Sequence, residues 1–490
     1  MHDRGSRRSF NTPHWFWFRA VMALFLGLSF GYSLLMPIWE APDEPAHFTY
    51  ILHVLEHRSL PSYEVTPEAG QPPLYYYLAS VPLGILHRIV PGATDDFKPP
   101  SLRQEALAIG SLRLWDWNSE NYRTLPGPLF LRWLNILVGA AAVGFIYRGA
   151  LIFTGANPYL SIAAASLIGL SPQFLHMSAS VNNDPLAYLT GAVLFWLLGV
   201  IVTREIPTAG LLAIGLCAAT LPFLIKFTAV PPGLTVAAVT LFRLKSHVKT
   251  HAEALWILGS GIALAILVAW ILLGTSLGDN MLYELSYRLG TVRPDLFSVP
   301  IMTRVRMFSW SFWGNIGWVR VGLPQELILI LSGLSLIGFL AAFRQSFLPQ
   351  DPRIIRGFGI LLAVLGSAIT FGFGKMILGV PLLVHGIYTL QSEYGGSTGD
   401  RRRIYGFVWL MVLLAVAAFV RNFITTPKIQ GRFLFPSVGA ITTLIVYGWD
   451  LIADRRSEVI LILVLVSMLL TNLWMWFAQV IPVFYQPFLG

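Results

Sequence analysis

The chain has 490 residues, of which 55% are hydrophobic and only 12% are charged, and its formal net charge is +9. Soluble globular domains carry about 25% charged residues, so this composition excludes an ordinary soluble protein and indicates a chain that lies largely in lipid. The mean hydropathy of +0.64 agrees with this interpretation. The positive charge does not indicate nucleic-acid binding, because the basic residues are scattered and Arg401–Arg403 is the single tight run. The single cysteine, Cys217, rules out an intramolecular disulfide.

Long apolar runs predict an all-α polytopic membrane protein. Each run is close to the roughly 20 residues that a helix needs to cross a bilayer, and the short alternating strands of a membrane barrel are absent. The runs predict thirteen spans, near residues 15–38, 128–150, 157–178, 184–203, 208–225, 228–243, 254–275, 324–343, 356–374, 376–392, 404–421, 433–453 and 458–478. At Lys226 and Lys375, where two hairpins turn, one long helix or a re-entrant pair also fits the pattern.

The distribution of basic residues predicts the topology. A basic N-terminal flank precedes a first run that is long and lacks a small-residue cleavage site, so we expect an uncleaved helix with a cytoplasmic N-terminus. Thirteen spans then place the C-terminus outside. The even-numbered connections carry the basic clusters, as the positive-inside rule requires. These clusters are Arg148, Arg204, Arg243 with Lys245 and Lys249, Arg344 with Arg353 and Arg356, Arg401–Arg403, and Arg455 with Arg456.

This topology divides the chain into five parts. They are a cytoplasmic N-terminus with the first span (1–39), an extracytoplasmic loop (40–127), spans two to seven (128–275), a second extracytoplasmic loop (276–323) and spans eight to thirteen (324–490). Both outside loops are rich in Trp, Tyr, Arg and Pro, which is typical of segments that lie at a membrane surface.

The first loop begins with a cluster of acids. Asp43-Glu44-Pro45 is typical of a helix start, because proline is favoured in the first turn and acids are favoured beside it. The stripe Phe48, Ile51, Leu52 and Leu55 predicts a helix along the membrane, with its start exposed to water. Asp43 and Glu44 are explained locally as caps of this helix. With Glu40 they also form a dense group of like charges, which raises at least one pKa and makes the acids functional candidates.

A second interfacial helix is expected to follow Gln71-Pro72-Pro73-Leu74-Tyr75-Tyr76-Tyr77 and to extend to about Ile89. The double proline fixes an extended entry, and the tyrosines are typical of an interface anchor. Gln71 is the polar residue at this turn that is able to contact a ligand.

These features resemble the GT-C superfamily of membrane glycosyltransferases, which includes protein O-mannosyltransferases, the aminoarabinose transferase of lipid A and the arabinosyltransferases. Within it, the chain is most similar to a group of bacterial membrane proteins. The resemblance rests on five blocks that keep the expected order along most of the chain. They are Pro42-Asp43-Glu44-Pro45-Ala46-His47-Phe48, Gln71-Pro72-Pro73-Leu74-Tyr75-Tyr76, Val181-Asn182-Asn183-Asp184, Ser311-Phe312-Trp313-Gly314 with Gly317-Trp318, and Gln430-Gly431-Arg432-Phe433-Leu434-Phe435-Pro436.

The resemblance implies a GT-C-like bundle with interfacial helices in the first loop. It also implies a bacterial inner-membrane enzyme that transfers a hexosyl or pentosyl group from a polyprenyl-phosphate carrier to a glycan, lipid or protein acceptor outside. Asp43 is then the expected catalytic base, with Glu44 as the alternative or as a supporting partner. The expected partners are the lipid-linked donor, the acceptor and membrane lipids. The expected substrate-binding residues are Glu40, His47, Gln71, Tyr75, Asp184, Arg288, Arg293, Arg304, Arg306, Trp313 and Arg432.

The departing lipid phosphate requires positive partners, which the arginines of the second loop and Arg432 are suited to supply. Contact with anionic lipid headgroups explains the arginines of the second loop equally well. Lys226 and Lys375, at short outside turns, are able to reach the same surface by snorkelling, and snorkelling without a function also explains them. Asp184 is explained as a helix start or as a cavity carboxylate.

Metal dependence stays open at this point: some GT-C enzymes use a divalent cation such as Mg²⁺ or Mn²⁺, but the first loop contains no Asp-x-Asp. His47, His53 and His57 are expected on an exposed polar face and do not form a zinc set.

Two other functions compete with glycosyl transfer. A transporter or flippase for lipid-linked sugars handles similar cargo, but it is expected to show broken or charged helices near the midplane. Here the ionisable residues collect at the outer ends of the predicted spans. A non-catalytic assembly protein for envelope polysaccharide is the second alternative.

Overall fold

The structure, a computed structural model, describes residues 13–90, 126–247, 259, 278–280, 300–317, 321–347, 399–425 and 429–485. Helices dominate these residues. We number them α1 His14–Leu35, α2 Glu44–His57, α3 Leu74–Ile89, α4 Pro126–Phe153, α5 Pro158–Gly169, α6 Pro172–Ser178, α7 Asp184–Thr203, α8 Thr208–Ile225, α9 Val230–His247, α10 Ile301–Trp313, α11 Gln325–Phe347, α12 Gly399–Thr425, α13 Val438–Ile452, α14 Ser457–Trp474 and α15 Ile481–Tyr485. Two-residue strands, β1 Asn315–Ile316 and β2 Val321–Gly322, pair antiparallel after α10.

The prediction of a polytopic α-helical membrane protein is confirmed. Eight helices in the described ranges are long and apolar enough to cross a membrane, and a bent pair raises the number to nine. The helix α12 includes a shorter apolar stretch, Tyr405–Val420. Apart from residue 259, the spans predicted at 254–275, 356–374 and 376–392 lie outside the described residues, and so does the turn at Lys375.

The predicted span 157–178 is broken into two helices. α5 ends at Gly169 and α6 begins at Pro172, with a bend of 68° between them. Pro172 has no N–H to continue the helical ladder, and the Ser171 hydroxyl instead accepts a hydrogen bond from the N–H of Phe174 at 3.4 Å. The Leu170 carbonyl at the break accepts a hydrogen bond from Asn472 Nδ2 at 2.7 Å. The side chain of Asn472 on α14 therefore stabilises the break between the two helices.

The hairpin at Lys226 is confirmed. α8 ends at Ile225, Lys226 is extended with a φ of −169°, and a short 3-10 turn, Phe227–Ala229, leads into α9. The helices α8 and α9 pack against each other. The side chain of Lys226 is thereby held at the end of the bundle where α1 ends and α7 begins.

The two helices predicted in the first loop are present, and they pack against each other at this same end. The predicted stripe on α2 is largely buried, as expected, but the start of the helix differs from expectation. Glu44 and His47 are buried rather than exposed, because the first turn of α2 is covered by α3 and by the start of α4. On α3, Tyr75 and Tyr76 face inwards, and Leu78, Val81, Ile85 and Ile89 form an exposed apolar stripe.

The packing of α11 on α13 depends on a close approach of two glycines. A Cβ built on Gly448 lies 1.7 Å from the carbonyl oxygen of Gly338, which no side chain can occupy. Small residues at such contacts allow membrane helices to approach closely.

Gly448→Ala is therefore expected to destabilise the protein by about 1–3 kcal/mol, measured by unfolding in detergent. Gly144→Ala on α4, where a Cβ meets nothing within 4 Å, is the matched control and is expected to be neutral. Equal stability of the two variants would contradict the contact.

Candidate functional site

Asp43 occupies a left-handed backbone position between α1 and α2. It is the N-cap residue of α2 and has a φ of 63°, in the left-handed region that few non-glycine residues adopt. Trp39, four residues earlier, also has a positive φ, of 77°. Within the described structure the Asp43 carboxylate makes no capping hydrogen bond, although its residue is the cap. Capping therefore does not account for this side chain, which is partly exposed.

The neighbouring acid, Glu44, is fully buried and fully engaged. Arg132 on α4 donates from Nε to Glu44 Oε1 at 2.7 Å and from Nη2 to Oε2 at 2.6 Å, so the pair is bidentate. Two backbone N–H groups complete the set: that of Trp39 to Oε2 at 3.0 Å and that of Val181 to Oε1 at 2.9 Å. Four donors on one buried carboxylate define a structural ion pair.

Arg132 also binds the end of α1. Its Nη1 donates to the carbonyls of Ser33 and Met36 at 2.9 and 2.8 Å, and its Nη2 donates to that of Pro37 at 3.1 Å. The last carbonyls of a helix have no partner within the helix, so a buried cation at this point satisfies them. The guanidinium thus joins α1, α4 and the first turn of α2. Glu40, which is also buried, lies in the turn that these contacts hold.

A second charge cluster forms around Asp184 at the start of α7. Lys226 Nζ lies 2.6 Å from Asp184 Oδ1 and 2.6 Å from Asn183 Oδ1. Arg432, in the 3-10 turn Gly431–Ser437 before α13, places Nη1 3.4 Å from Asp184 Oδ2. The side chains of Lys226 and Arg432 keep 13% and 9% of their surface exposed. Two cations therefore share one carboxylate, which leaves this cluster with a net positive charge.

The position of Arg432 is set by α10. Ser311 Oγ accepts a hydrogen bond from the N–H of Gly431 at 2.7 Å, and Arg432 Nε donates to Gln430 Oε1 at 2.8 Å. A Cβ on Gly431 would meet the Phe308 carbonyl at 2.5 Å, so the turn requires glycine.

His47, in the first turn of α2, binds α3. Its Nδ1 lies 2.8 Å from the hydroxyl of Tyr76, and the ring is buried. Burial lowers the pKa of His47 to about 3, and the cation of Lys226 adds to this shift, whereas Asp43 and Asp184 act in the opposite direction. The two clusters are adjacent, because the N–H of Val181, three residues before Asp184, donates to Glu44.

The pKa of His47 has a measurable consequence for stability. The folded-state pKa of about 3 lies below the ordinary value of 6.5, so the unfolded chain binds the proton more readily. Stability is then complete above pH 6.5 and is lost as pH falls towards 3, by at most about 1.4 kcal/mol per pH unit. His47→Gln is expected to reduce that slope in unfolding measurements across this range. His57→Gln, which changes an exposed histidine on the same helix, should leave it unchanged; equal slopes in the two variants would refute the assignment.

The aromatic and amide residues of the first loop line one side of this site. Tyr50 and Tyr76 stack with ring centroids 3.6 Å apart. The Gln71 side-chain carbonyl accepts a hydrogen bond from Asn183 Nδ2 at 3.2 Å, which places Gln71 beside the Asp184 cluster. Tyr75 points elsewhere: its hydroxyl accepts a hydrogen bond from Asn135 Nδ2 on α4 at 3.0 Å.

The residues predicted in the second outside loop are only partly brought to the site. Arg288 and Arg293 lie outside the described residues. On α10, Arg304 is buried and Arg306 is exposed, with its guanidinium 5.1 Å from the ring centroid of Trp310. Trp313 is buried and donates from Nε1 to Ser332 Oγ at 3.1 Å, so its ring offers no open face for a sugar.

Two carboxylates of the site, Asp184 and Glu44, already have cationic partners. In the described part of the chain, no group of three or more His, Cys, Asp or Glu side chains is arranged to hold a metal ion. Asp184 pairs with Lys226 through Oδ1 and with Arg432 through Oδ2. Glu44 pairs with Arg132.

Two residues central to the site were not predicted from the sequence. Arg132 is a charge six residues into an apolar helix, and a charged residue within a span is itself a signal of function or pairing. Lys226 was explained by snorkelling, yet it pairs with Asp184. In both cases the charge was visible in the sequence and the partner was not.

The fold and the site together define a polytopic helical membrane protein. Its charged residues, some buried and some partly exposed, gather at one end of the helical bundle. No protein-family model matches the chain, and no curated protein matches it. A solved structure, that of ArnT from Cupriavidus metallidurans bound to undecaprenyl phosphate, is similar at 13% identity and a TM-score of 0.33. The match covers 88% of this chain and 77% of that one. A likeness of this size carries no conclusion about the reaction of this chain.

Proposed function

We propose that the chain is a GT-C-type glycosyltransferase of the bacterial inner membrane that moves a sugar from a polyprenyl phosphate to an acceptor on the extracytoplasmic face. The observation that carries the proposal is that Asp43, uncapped and partly exposed, lies at the same end of the bundle as the cations Lys226 and Arg432. Glu44, the next residue after Asp43, accepts a hydrogen bond from the N–H of Val181, three residues before the Asp184 that binds both cations. Transfer from a lipid phosphate requires these two kinds of group, a base and a fixed positive charge.

In the proposed reaction, Asp43 accepts the proton of an acceptor hydroxyl. The oxygen of that hydroxyl bonds to the anomeric carbon, and the bond from that carbon to the phosphate oxygen breaks with its electron pair. The anomeric centre is inverted, and the product is a polyprenyl phosphate that carries an added negative charge. Lys226 and Arg432 stabilise this charge, and Asp184 holds the two cations in place before the phosphate binds.

The contacts of the two acids favour Asp43 over Glu44 as the base. Glu44 accepts four hydrogen bonds in a dry environment, so taking a proton would break a bidentate pair with Arg132. Asp43 is partly exposed and makes no capping hydrogen bond, so it can take a proton without breaking such a pair. Glu44 is instead assigned the role of fixing the turn that presents Asp43.

A lipid-linked substrate fits the surface next to the site. The exposed stripe Leu78, Val81, Ile85 and Ile89 belongs to α3, whose first turn carries Tyr76 of the site. Exposed apolar residues on a helix too short to span a bilayer suit the membrane interface. The carrier can then approach from the outer leaflet with its chain in lipid.

A flippase or transporter for lipid-linked sugars is the second candidate, because one observation favours it. The break between α5 and α6 is the type of discontinuous helix on which many transporters build their sites. The two functions differ in their products: an enzyme releases free polyprenyl phosphate, and a flippase leaves the donor intact.

The test uses purified full-length protein and a radiolabelled polyprenyl-phosphate sugar. Transfer to an acceptor, or slow hydrolysis that releases the sugar, supports the enzyme. Movement of unchanged donor between leaflets of a proteoliposome, without release, would replace this proposal by the flippase. Failure to bind any polyprenyl phosphate would refute both functions.

Removal of one cation of the site is expected to weaken binding of undecaprenyl phosphate. Lys226→Ala deletes a charge-assisted hydrogen-bond donor, which corresponds to about 10- to 100-fold in the dissociation constant. Lys245→Ala removes an exposed lysine near the other end of the α8–α9 hairpin and is the matched control. Binding measured by microscale thermophoresis in detergent distinguishes them, and equal affinities would remove Lys226 from the phosphate site.

A further inference from the structure

A cavity of about 220 Å³ lies at the end of the bundle opposite Asp43. Its polar lining consists chiefly of Asn157, Tyr405, Tyr447, Asp450, Arg455 and Ser457. The cavity also touches Phe153, the last residue of α4, whereas Arg132 of the outer site lies in the second turn of that helix. The intervening 21 residues of helix span about 32 Å, close to the thickness of a bilayer core. The cavity and the proposed catalytic site therefore lie at opposite membrane surfaces.

The cavity contains a buried carboxylate with a weakly held cation. Asp450 is 2% exposed, and its Oδ1 accepts a hydrogen bond from Ser457 Oγ at 2.8 Å. Its Oδ2 faces Arg455 Nη1 at 3.3 Å, which is longer than the usual charge-assisted bond. The Arg455 side chain is 51% exposed. Since a buried carboxylate requires a close cationic partner, Asp450 can accept a better donor if Arg455 turns outwards.

Two aromatic rings complete the lining. Tyr405 on α12 and Tyr447 on α13 stack with ring centroids 4.5 Å apart, and both border the same cavity as Asp450. Ring faces attract cations. A carboxylate and aromatic faces around a small cavity suit a compact ammonium group that also donates hydrogen bonds.

The surroundings of the cavity suit a lipid rather than a soluble amine. Arg455 lines the cavity and is exposed, so it can meet a phosphate, and the next residue, Arg456, is exposed as well. An exposed apolar stripe on α14, Val459, Leu463, Val466 and Leu470, begins two residues after Ser457. This stripe offers acyl chains a path along the protein from the cavity into the bilayer.

We propose that this cavity binds the headgroup of a phospholipid with a primary amine, of the phosphatidylethanolamine class, from the inner leaflet. The ammonium enters the cavity and binds Asp450 beside the tyrosine rings. Arg455 leaves Asp450 and binds the lipid phosphate at the rim. The site does not depend on the glycosyltransferase assignment.

The test is lipid binding to the full-length protein, measured by native mass spectrometry. Lipids with identical acyl chains and ethanolamine, dimethylethanolamine, choline or glycerol headgroups are compared on the unmodified protein. Ethanolamine is expected to bind at least about tenfold more tightly than choline, which has no N–H donor, and than glycerol, which has no cation. Equal affinity for ethanolamine and choline lipids, or a preference for glycerol, would overturn the proposal.

Two variants test whether the preference for ethanolamine lipids arises in this cavity. Asp450→Asn keeps the shape and an acceptor for Ser457 but removes the charge, so the preference for ethanolamine should disappear. Asp454→Asn, an exposed residue four positions later with a φ of 50° that asparagine tolerates, should retain it. Retention of the preference in Asp450→Asn would overturn the site. Displacement of the lipid by soluble phosphoethanolamine at equal concentration would overturn the lipid as the ligand.

Discussion

Replacement of Asp43 by asparagine is expected to reduce sugar transfer by about 10²- to 10⁴-fold, the usual contribution of a general base. The variant is well suited to the question, because asparagine is one of the few residues that adopts a positive φ without a large cost. The backbone at φ 63° should therefore persist. Only the ability to accept the proton is lost, so the change should appear in kcat more than in KM.

Glu56→Gln provides the matched control for this experiment. Glu56 is exposed on α2, twelve residues after Glu44, and its neutralisation should leave transfer unchanged. Asp43→Glu keeps the charge but lengthens the side chain, and we expect an intermediate rate because the base is displaced from the acceptor oxygen. Full activity in a folded Asp43→Asn protein would show that another group takes the proton.

Much of the fold was predictable because lipid restricts what a chain can do. A span requires an apolar helix of fixed length, and so the helices at the positions of α1, α4, α7 and α13 could be predicted from hydropathy. The helix start at Asp43-Glu44-Pro45 was equally predictable, because proline and acidic residues are strongly preferred at the start of a helix. These features depend on a few adjacent residues, which a single sequence contains.

The site was less predictable because it depends on pairs of distant residues. Glu44 pairs with a residue 88 positions away, and Asp184 with one 42 positions away. Hydropathy predicts the end of the bundle at which each charged residue lies, but it does not predict which charged residues form ion pairs. His47 was expected on an exposed face for the same reason: its burial is imposed by Tyr76 of α3, and not by the pattern of α2.

The bend between α5 and α6 is an intermediate case. Ser171-Pro172 is a recognisable helix start, since serine caps and proline occupies the first turn. The continuous apolar run obscured it, because hydropathy alone does not distinguish one long helix from two short ones. The break persists in the bundle because Asn472 supplies a donor to the Leu170 carbonyl, and that partner is 302 residues away.

Disruption of the Glu44–Arg132 pair is expected to destabilise the protein more than any other single change considered above. Both side chains are fully buried, and removal of one partner from such a pair typically costs about 3–5 kcal/mol, because the remaining charge is left in a dry environment. Glu44→Gln should therefore lower the unfolding free energy by about that amount, measured by denaturant titration in detergent. Arg148→Met, an exposed arginine nearer the other end of α4, is the control and should be close to neutral.

The two partners make different numbers of contacts, so their single substitutions are expected to differ in their cost to stability. Arg132 also satisfies carbonyls of Ser33, Met36 and Pro37, so Arg132→Met should cost more than Glu44→Gln. The double variant should be more stable than the sum of the two single effects predicts, because it leaves no unpaired charge. Additive effects, or single effects below about 1 kcal/mol, would contradict a structural ion pair. Such a result would also return Glu44 to consideration as the base, because the turn that presents Asp43 would no longer depend on it.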